Sequence, residues 1–234
     1  MIWICSSCSS FVKAKERNID DFMRKKIESI SQETIRRIAL YLRSIRKLSR
    51  QNLTIISSSQ ISNHLSVTPD QFRKDLSYFG SLGKPGVGYK VEPLVKHLEK
   101  ILGVDSERRI ILVGVGKLGS ALLAYPGFLS FNFRFVAAFD NDAEKIGKVI
   151  QGIKIQDISK MRKKILHFDV DLAILAVPAE SAQSVAEKLV ECGIRGILNF
   201  APVNLNLPQD VYVLDVDMGT ELMVLSYFSR RVLL

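Results

Sequence analysis

The chain has 234 residues, a formal net charge of +9, and 47% apolar residues against 24% charged ones, a balance that suits a soluble protein of two modest domains. No apolar run reaches the ~18 residues of a membrane span, and the opening MIWIC is too short and too poor in basic residues for a signal sequence; a cytoplasmic location with no membrane partner is expected. The three cysteines exclude a disulfide framework.

Cys5 and Cys8 form a C-x-x-C, but no second Cys or His pair stands nearby, so no metal is expected there. Residues 1–31 are Ser-rich and charged without a sustained period and read as a poorly ordered extension, with Met23 as an alternative start. The charge is unevenly placed. Residues 1–104 hold 18 Lys+Arg against 9 Asp+Glu, and residues 105–234 hold 15 against 15, which points to a polyanionic partner for the first half alone.

From Ile35 the apolar positions Ile35, Ile38, Leu42, Ile45 and Leu48 recur at helical spacing after Ser31 or Thr34 as a cap. A short second helix is predicted over Ser58–Leu65. A third starts at Thr68-Pro69-Asp70-Gln71, which combines an N-cap, a Pro at the first position and a capping-box Gln. Phe72, Leu76 and Phe79 then face the core, leaving Gln71, Arg73, Lys74, Ser77 and Tyr78 outside. Gly80 to Gly88 holds four glycines in nine positions and reads as a tight β-hairpin, flanked by Lys84 and Lys90. Helix, turn, helix and glycine hairpin make a winged helix-turn-helix. Its second helix would enter the major groove of double-stranded DNA, with Arg73 and Lys74 as base readers. Gln71, Ser77, Tyr78, Lys84 and Lys90 complete the DNA-binding set. A connecting helix is predicted from Pro93 to near Gly103.

From Arg108 buried strands alternate with helices: Arg109–Val113, Lys117–Ala124, Arg134–Phe139, a helical Asp157–Leu166, Asp171–Val177, Glu180–Glu191, Ile194–Asn199, Val211–Val216 and a final apolar helix over Met218–Arg230. That pattern predicts an α/β fold, a Rossmann-type doubly wound parallel sheet. Gly114, Gly116 and Gly119 follow a strand and open a helix, and their roles differ. The first permits a tight turn, the second a close approach of backbone to a pyrophosphate, and the third the packing of helix against strand. Asp140 ends the second strand, where a carboxylate accepts from ribose hydroxyls and repels a 2′-phosphate, favouring NAD(H) over NADP(H). Of the three histidines, His64 and His97 fall in the first half and His167 in a loop before a strand, away from the cofactor crevice. No acid or base is therefore evident for hydride chemistry, and the chain reads as a receptor, not an enzyme. An NAD-dependent oxidoreductase with an accessory nucleic-acid domain is the competing reading.

Five segments in one order, VTPDQFRKDLSYFGSLGKPGVGY, VGVGKLGSALLAYPGF, FDNDAEKIGK, ILNFAPVNLNLP and LDVDMGTELMVLSYF, make the chain from about Ile35 to Arg230 resemble the Rex family of bacterial redox-sensing transcriptional repressors. The resemblance implies a homodimer with one dinucleotide per subunit, an exchanged C-terminal helix, and NADH releasing the protein from its operator. It also implies a switch set of Arg43, Tyr125 and Asp217. The cofactor set then comprises Gly114, Val115, Gly116, Lys117, Leu118 and Gly119 of the turn, with Tyr125, Asp140, Val177, Pro178, Asn199, Phe200 and Asp217. Ala179 departs from the family, where a basic residue is frequent, and so does Met218, where a larger apolar group is usual. The expected divisions are 1–31, the extension; 32–104, winged helix with connecting helix; 105–216, dinucleotide domain; and 217–234, the exchanged helix.

Overall fold

The computed structural model of the chain describes residues 30–51, 53–63, 65–80, 82–84 and 86–230. Cys5, Cys8, Met23 and His64 lie outside the described residues, as does nearly all of the expected extension. The chain divides into two compact units with the boundary between Asp105 and Ser106.

In the first unit, α1 (Gln32–Ser49) is capped by Ser31, whose hydroxyl accepts the Thr34 amide. It buries Ile38, Tyr41, Leu42, Ile45 and Leu48, leaving Arg36, Arg43, Lys47 and Arg50 exposed. Strand β1 (Ile55–Ile56) leads into α2 (Ser58–Ser62), opened by a reciprocal capping box between Ser57 and Gln60. This helix stops short of Leu65, because the Leu65 amide closes a turn onto the Ser62 carbonyl. Helix α3 (Pro69–Ser77) starts where cap chemistry predicts, with the Gln71 amide donating to the Thr68 hydroxyl. The reciprocal half of that cap is not made, since the Gln71 side chain turns to Asp75. Phe72 and Leu76 are buried and Phe79 is half-buried.

The glycine segment does not fold into a hairpin of its own two strands. Lys84 bridges Gly88 across its tip, and its exit, β2 (Tyr89–Lys90), pairs antiparallel with β1 in the register Ile55 with Lys90 and Ile56 with Tyr89. Gly88 has φ +99°, and a Cβ there would stand 2.7 Å from the Ile56 carbonyl oxygen, so only glycine lets the two arms close. Helix α4 (Val91–Ile101) begins two residues ahead of Pro93. A proline in the first turn lacks an amide that has no helical acceptor anyway.

The second unit carries a seven-stranded sheet ordered β5-β6-β4-β3-β7-β8-β9. Its strands are β3 (Arg108–Val113), β4 (Phe133–Asp140), β5 (Val149–Ile150), β6 (Ile153–Asp157), β7 (Leu172–Leu175), β8 (Gly196–Asn199) and β9 (Tyr212–Asp215). All neighbours pair parallel except β5 with β6. Alternate residues of β3 face opposite sides: Ile111 and Val113 join one core with α6 (Met161–Phe168) and α7 (Ala179–Glu191), while Ile110 and Leu112 join another with Leu123 of α5 (Lys117–Leu123). A strand buried on both faces reads as a continuous apolar run, as IILV does.

The sheet departs from the sequence pattern at three points. The β5–β6 hairpin has strands too short to carry a period, and Gln151 at φ +48° and Gly152 at φ +78° turn the chain between them. Asp157 ends a strand and caps a short 3-10 turn instead of opening a long helix. Helix α6 then runs through Phe168, which places His167 in its last turn, not in a loop. The final helix, α8 (Met218–Arg230), buries no residue in the single chain.

Candidate functional site

The strands run outward from β3 in both directions, so the strand order reverses between β3 and β7, and in open α/β sheets ligands bind in the crevice at such a switch point. The turn after β3 occupies it. Gly114 has φ +94°, its amide donates to the Phe139 carbonyl at 2.9 Å, and the Ala176 amide donates to the Val113 carbonyl at 2.8 Å. The three glycines differ in surroundings. A Cβ on Gly114 would overlap the Ala176 carbonyl, and one on Gly119 the Gly114 carbonyl, whereas one on Gly116 would meet nothing within 4 Å. Gly114 and Gly119 thus hold turn, strand and helix together. Gly116 faces open space beside exposed Lys117 and Leu118.

Asp140 is 6% exposed at the end of β4. One carboxylate oxygen accepts the Val115 amide at 2.7 Å and the Lys145 ammonium at 3.2 Å, and the other accepts the Asp142 amide at 2.9 Å. Burial raises its pKa, but the Asp142 and Val115 amides and Lys145 outweigh that and hold the carboxyl below its ordinary value. It stays ionised beside the glycine turn, where vicinal hydroxyls of a ribose could be recognised.

Of the other residues expected to line the cofactor site, Val177, Pro178, Asn199, Phe200 and Asp217 lie at or just past the ends of β7, β8 and β9, and Tyr125 follows α5. Val177 is half-buried and Pro178 exposed ahead of α7, whose first turn holds Ala179. Asn199 is fully buried, and its amide donates to Asp215 at 2.8 Å and to the Val203 carbonyl at 3.0 Å while its oxygen accepts the Ala201 amide. Its polar groups hold the loop after β8, and the next residue, Phe200, is half-buried. Tyr125 is 56% exposed and packs edge-on against Phe128. Asp217 accepts from the Gly219 amide and the Thr220 hydroxyl at the start of α8, bonds that hold its carboxyl below the ordinary value. Among the described residues Tyr125 and Asp217 do not bond each other within one chain. Arg43 belongs to the first unit, exposed on α1.

In the first unit Arg73, Lys74, Ser77, Tyr78, Lys84 and Lys90 are all exposed. A cavity of about 650 Å³ opens between α3 and the glycine wing, lined by Ser58, Arg73, Ser77, Lys84 and Val87 among others, so helix and wing border one concavity. Arg73 donates to the Ser58 hydroxyl at 2.7 Å and pairs with Asp70. Gln71 is only half-exposed, with its side-chain amide on Asp75. His97 lies 3.2 Å from the Phe79 carbonyl oxygen, joining α4 to the end of α3.

Residues 105–203 match a family model described as "CoA binding domain", and residues 29–77 one described as "Putative DNA-binding protein N-terminus". A redox-sensing transcriptional repressor Rex of Chloroflexus aggregans is 44% identical over 84% of this chain and 93% of its own length. One of Carboxydothermus hydrogenoformans is 45% identical over 86% and 97%. The chain belongs to the Rex family. Among solved structures, the Rex-family repressor RSP in complex with β-NAD+ and operator DNA superimposes with a TM-score of 0.82 at 35% identity, covering 86% of this chain and 93% of that one. RSP in complex with β-NADH gives 0.78 at 33% identity, covering 87% and 95%.

Two further groups, Lys145 and Asp75, bind into these sites from positions the motifs do not include. Lys145 lies five residues past Asp140 and reaches back to it; the spacing alone carries no such signal. Asp75 had a signal: it stands at i+3 from Phe72, on the core-facing stripe, where an acid demands a buried partner.

Proposed function

We propose that this chain is a DNA-binding repressor that reads the NADH/NAD+ balance, acting as a cytoplasmic homodimer and not as an enzyme. The observation that carries the reading is the glycine turn: Gly116 leaves open space at the switch point beside the ionised Asp140, in a chain whose other unit is a winged helix. The site fits a dinucleotide, with Gly116, Lys117 and Leu118 facing the pyrophosphate and Asp140 the adenine ribose. The bound nicotinamide, whose net charge differs between its two oxidation states, supplies the signal.

Binding by itself shifts nothing; a switch needs different affinities for the two conformations. Asp217 pairing with Arg43 in one state and Tyr125 in the other would provide that difference, with α8 exchanged between subunits. The occurrence of related structures with NAD+ and operator DNA and with NADH supports the assignment of ligands. Division into residues 32–104 for operator binding, 105–216 for the dinucleotide and 217–234 for exchange follows. Coenzyme A, named by the family model over residues 105–203, carries a phosphate on its adenosine ribose, which the Asp140 carboxylate disfavours.

Titration of NADH into an operator-binding assay tests the proposal. Release of the operator at low NADH supports it and indifference to NADH overturns it. Steady turnover of NADH with added substrates would instead favour an oxidoreductase.

A further inference from the structure

Asp75 is 0% exposed and is the centre of a polar cluster joining α1 to α3. Arg37 grips it with two nitrogens, Nε to Oδ2 at 2.6 Å and Nη2 to Oδ1 at 2.8 Å. The Tyr41 hydroxyl donates to Oδ2 at 2.8 Å, and the Gln71 amide to Oδ1 at 2.7 Å. Arg37 Nη2 also donates to the Thr34 hydroxyl at 3.1 Å, which shares a 3.0 Å hydrogen bond with the Ser31 cap of α1. Aromatic edges flank the cluster: Tyr41 meets Phe72 with ring centroids 4.8 Å apart, and Phe72 meets Tyr89 of the wing at 5.3 Å.

An apolar cluster would hold two helices together about as well, since a buried ion pair is no more stabilising than well-packed hydrophobic side chains. What the fork adds is direction. Apolar faces tolerate sliding and rotation, whereas a bidentate Arg–carboxylate pair fixes both. Rotating a helix by ~20° moves side-chain tips at its ~5–6 Å outer radius by about 2 Å, more than the ~0.5 Å tolerance of a productive contact. Asp75 shares α3 with Arg73, Lys74 and Ser77, so its grip sets where those side chains point.

We propose that Asp75, held by Arg37 and Tyr41, is a positioning residue for operator discrimination: it fixes the rotation of α3 so that the exposed readout side chains meet base edges in register. This inference rests on the DNA-binding reading above. Phosphate contacts that lie on flexible lysines do not depend on that rotation, so the network governs specific binding and not non-specific binding.

The test uses the full chain carrying Tyr41→Phe, Arg37→Lys or Asp75→Asn, with a duplex selected by the unaltered protein from a random pool and a scrambled duplex of equal length and composition. Asp75→Asn and Arg37→Lys are expected to weaken operator binding by about tenfold, the size of one lost base contact. Tyr41→Phe, which preserves shape and removes one hydrogen bond, is expected to weaken it by a few fold. Affinity for the scrambled duplex, its salt dependence and NADH binding stay unchanged. Equal losses on both duplexes, or an unchanged operator affinity in all three variants, overturn the positioning role. Failure of the unaltered chain to discriminate the two duplexes would overturn the DNA-binding reading instead.

Discussion

The carboxylate of Asp140 accepts the backbone amide of Val115 at 2.7 Å, tying the end of β4 to the glycine turn that follows β3. The bond does two things at once. It fixes the turn's conformation, and it places a negative charge at its edge with Lys145 as the only counter-charge bonded to it among the described residues. Asp140→Asn keeps an acceptor for the Val115 amide but removes the charge, leaving Lys145 beside the ribose site. NADH affinity should fall, NADPH affinity should rise relative to it, and operator binding without dinucleotide should not change. Fluorescence titrations with both nucleotides check this; parallel loss of nucleotide and operator binding would refute the division of labour between the two units.

The glycines of the turn separate a structural role from a ligand-facing one. The methyl of Gly116→Ala would have no atom of the described residues within 4 Å apart from its own chain neighbours and helix backbone, so its melting temperature should match that of the unaltered chain while NADH binding weakens by tenfold or more. Gly119→Ala should instead lower the melting temperature, because the added methyl overlaps the Gly114 carbonyl within the packed strand-to-helix connection; overpacking of this kind costs about 1–3 kcal/mol. Thermal melts beside NADH titrations distinguish the two, and a destabilised Gly116→Ala would show that this glycine is structural as well.

What could be read in advance followed from how local the chemistry is. Thr68-Pro69 starts α3 as its residues predict because a cap and a preset φ need no distant partner. The glycine turn was legible for the same reason. The β5–β6 edge was not, since two-residue and five-residue strands carry no period and pair only because the sheet offers an edge. Asn199 belongs to the expected cofactor set, yet its bonds to Asp215, Val203 and Ala201 depend on how β8 meets β9. Asp75 shows the limit most clearly: the stripe of Phe72, Leu76 and Phe79 marks α3's buried face, but only the fold brings Arg37 and Tyr41, more than thirty positions earlier, onto the acid within that stripe.

Arg73 and Lys84 should fail differently if both face DNA. Arg73 reaches Ser58 and Asp70 within the protein, so its guanidinium is already pre-oriented at the concavity between α3 and the wing. Arg73→Ala should cost about 1–3 kcal/mol on the operator and relax specificity, while Lys84→Ala should weaken all duplexes evenly and reduce the salt slope by about 1. Binding isotherms at several salt concentrations check both. Uniform weakening by Arg73→Ala would move that residue from base readout to phosphate contact.

Helix α8 leaves Leu222, Met223, Val224, Leu225, Tyr227 and Phe228 all exposed, Leu222 and Leu225 at 65% and 63% in the single chain. So large an apolar surface on one helix calls for burial, and a second copy is the occupant the proposed exchange supplies. Leu222→Asp combined with Leu225→Asp should yield a monomer by light scattering, with operator affinity lost because two half-sites are no longer bridged. A dimer of unchanged stability would place the interface elsewhere.

Finally, Asp75 makes stability depend on pH in a defined direction. Burial raises its pKa, but Arg37, Tyr41 and Gln71 outweigh burial and hold the carboxyl below its ordinary value. A group whose folded-state pKa is depressed stabilises fully above its unfolded value, ~3.9 for aspartate, and that contribution is lost as the pH falls through the folded value. Asp75→Asn should therefore cost about 2–3 kcal/mol at pH 7, less than the ~3–5 kcal/mol of a wholly buried pair because the Arg37 guanidinium still meets water. The gap between variant and unaltered chain should hold constant from pH 8 to pH 5 and narrow below about pH 4. Denaturant melts across that range check it, and a gap as wide at pH 3 as at pH 7 would mean that the folded chain does not hold the Asp75 carboxyl below its ordinary value.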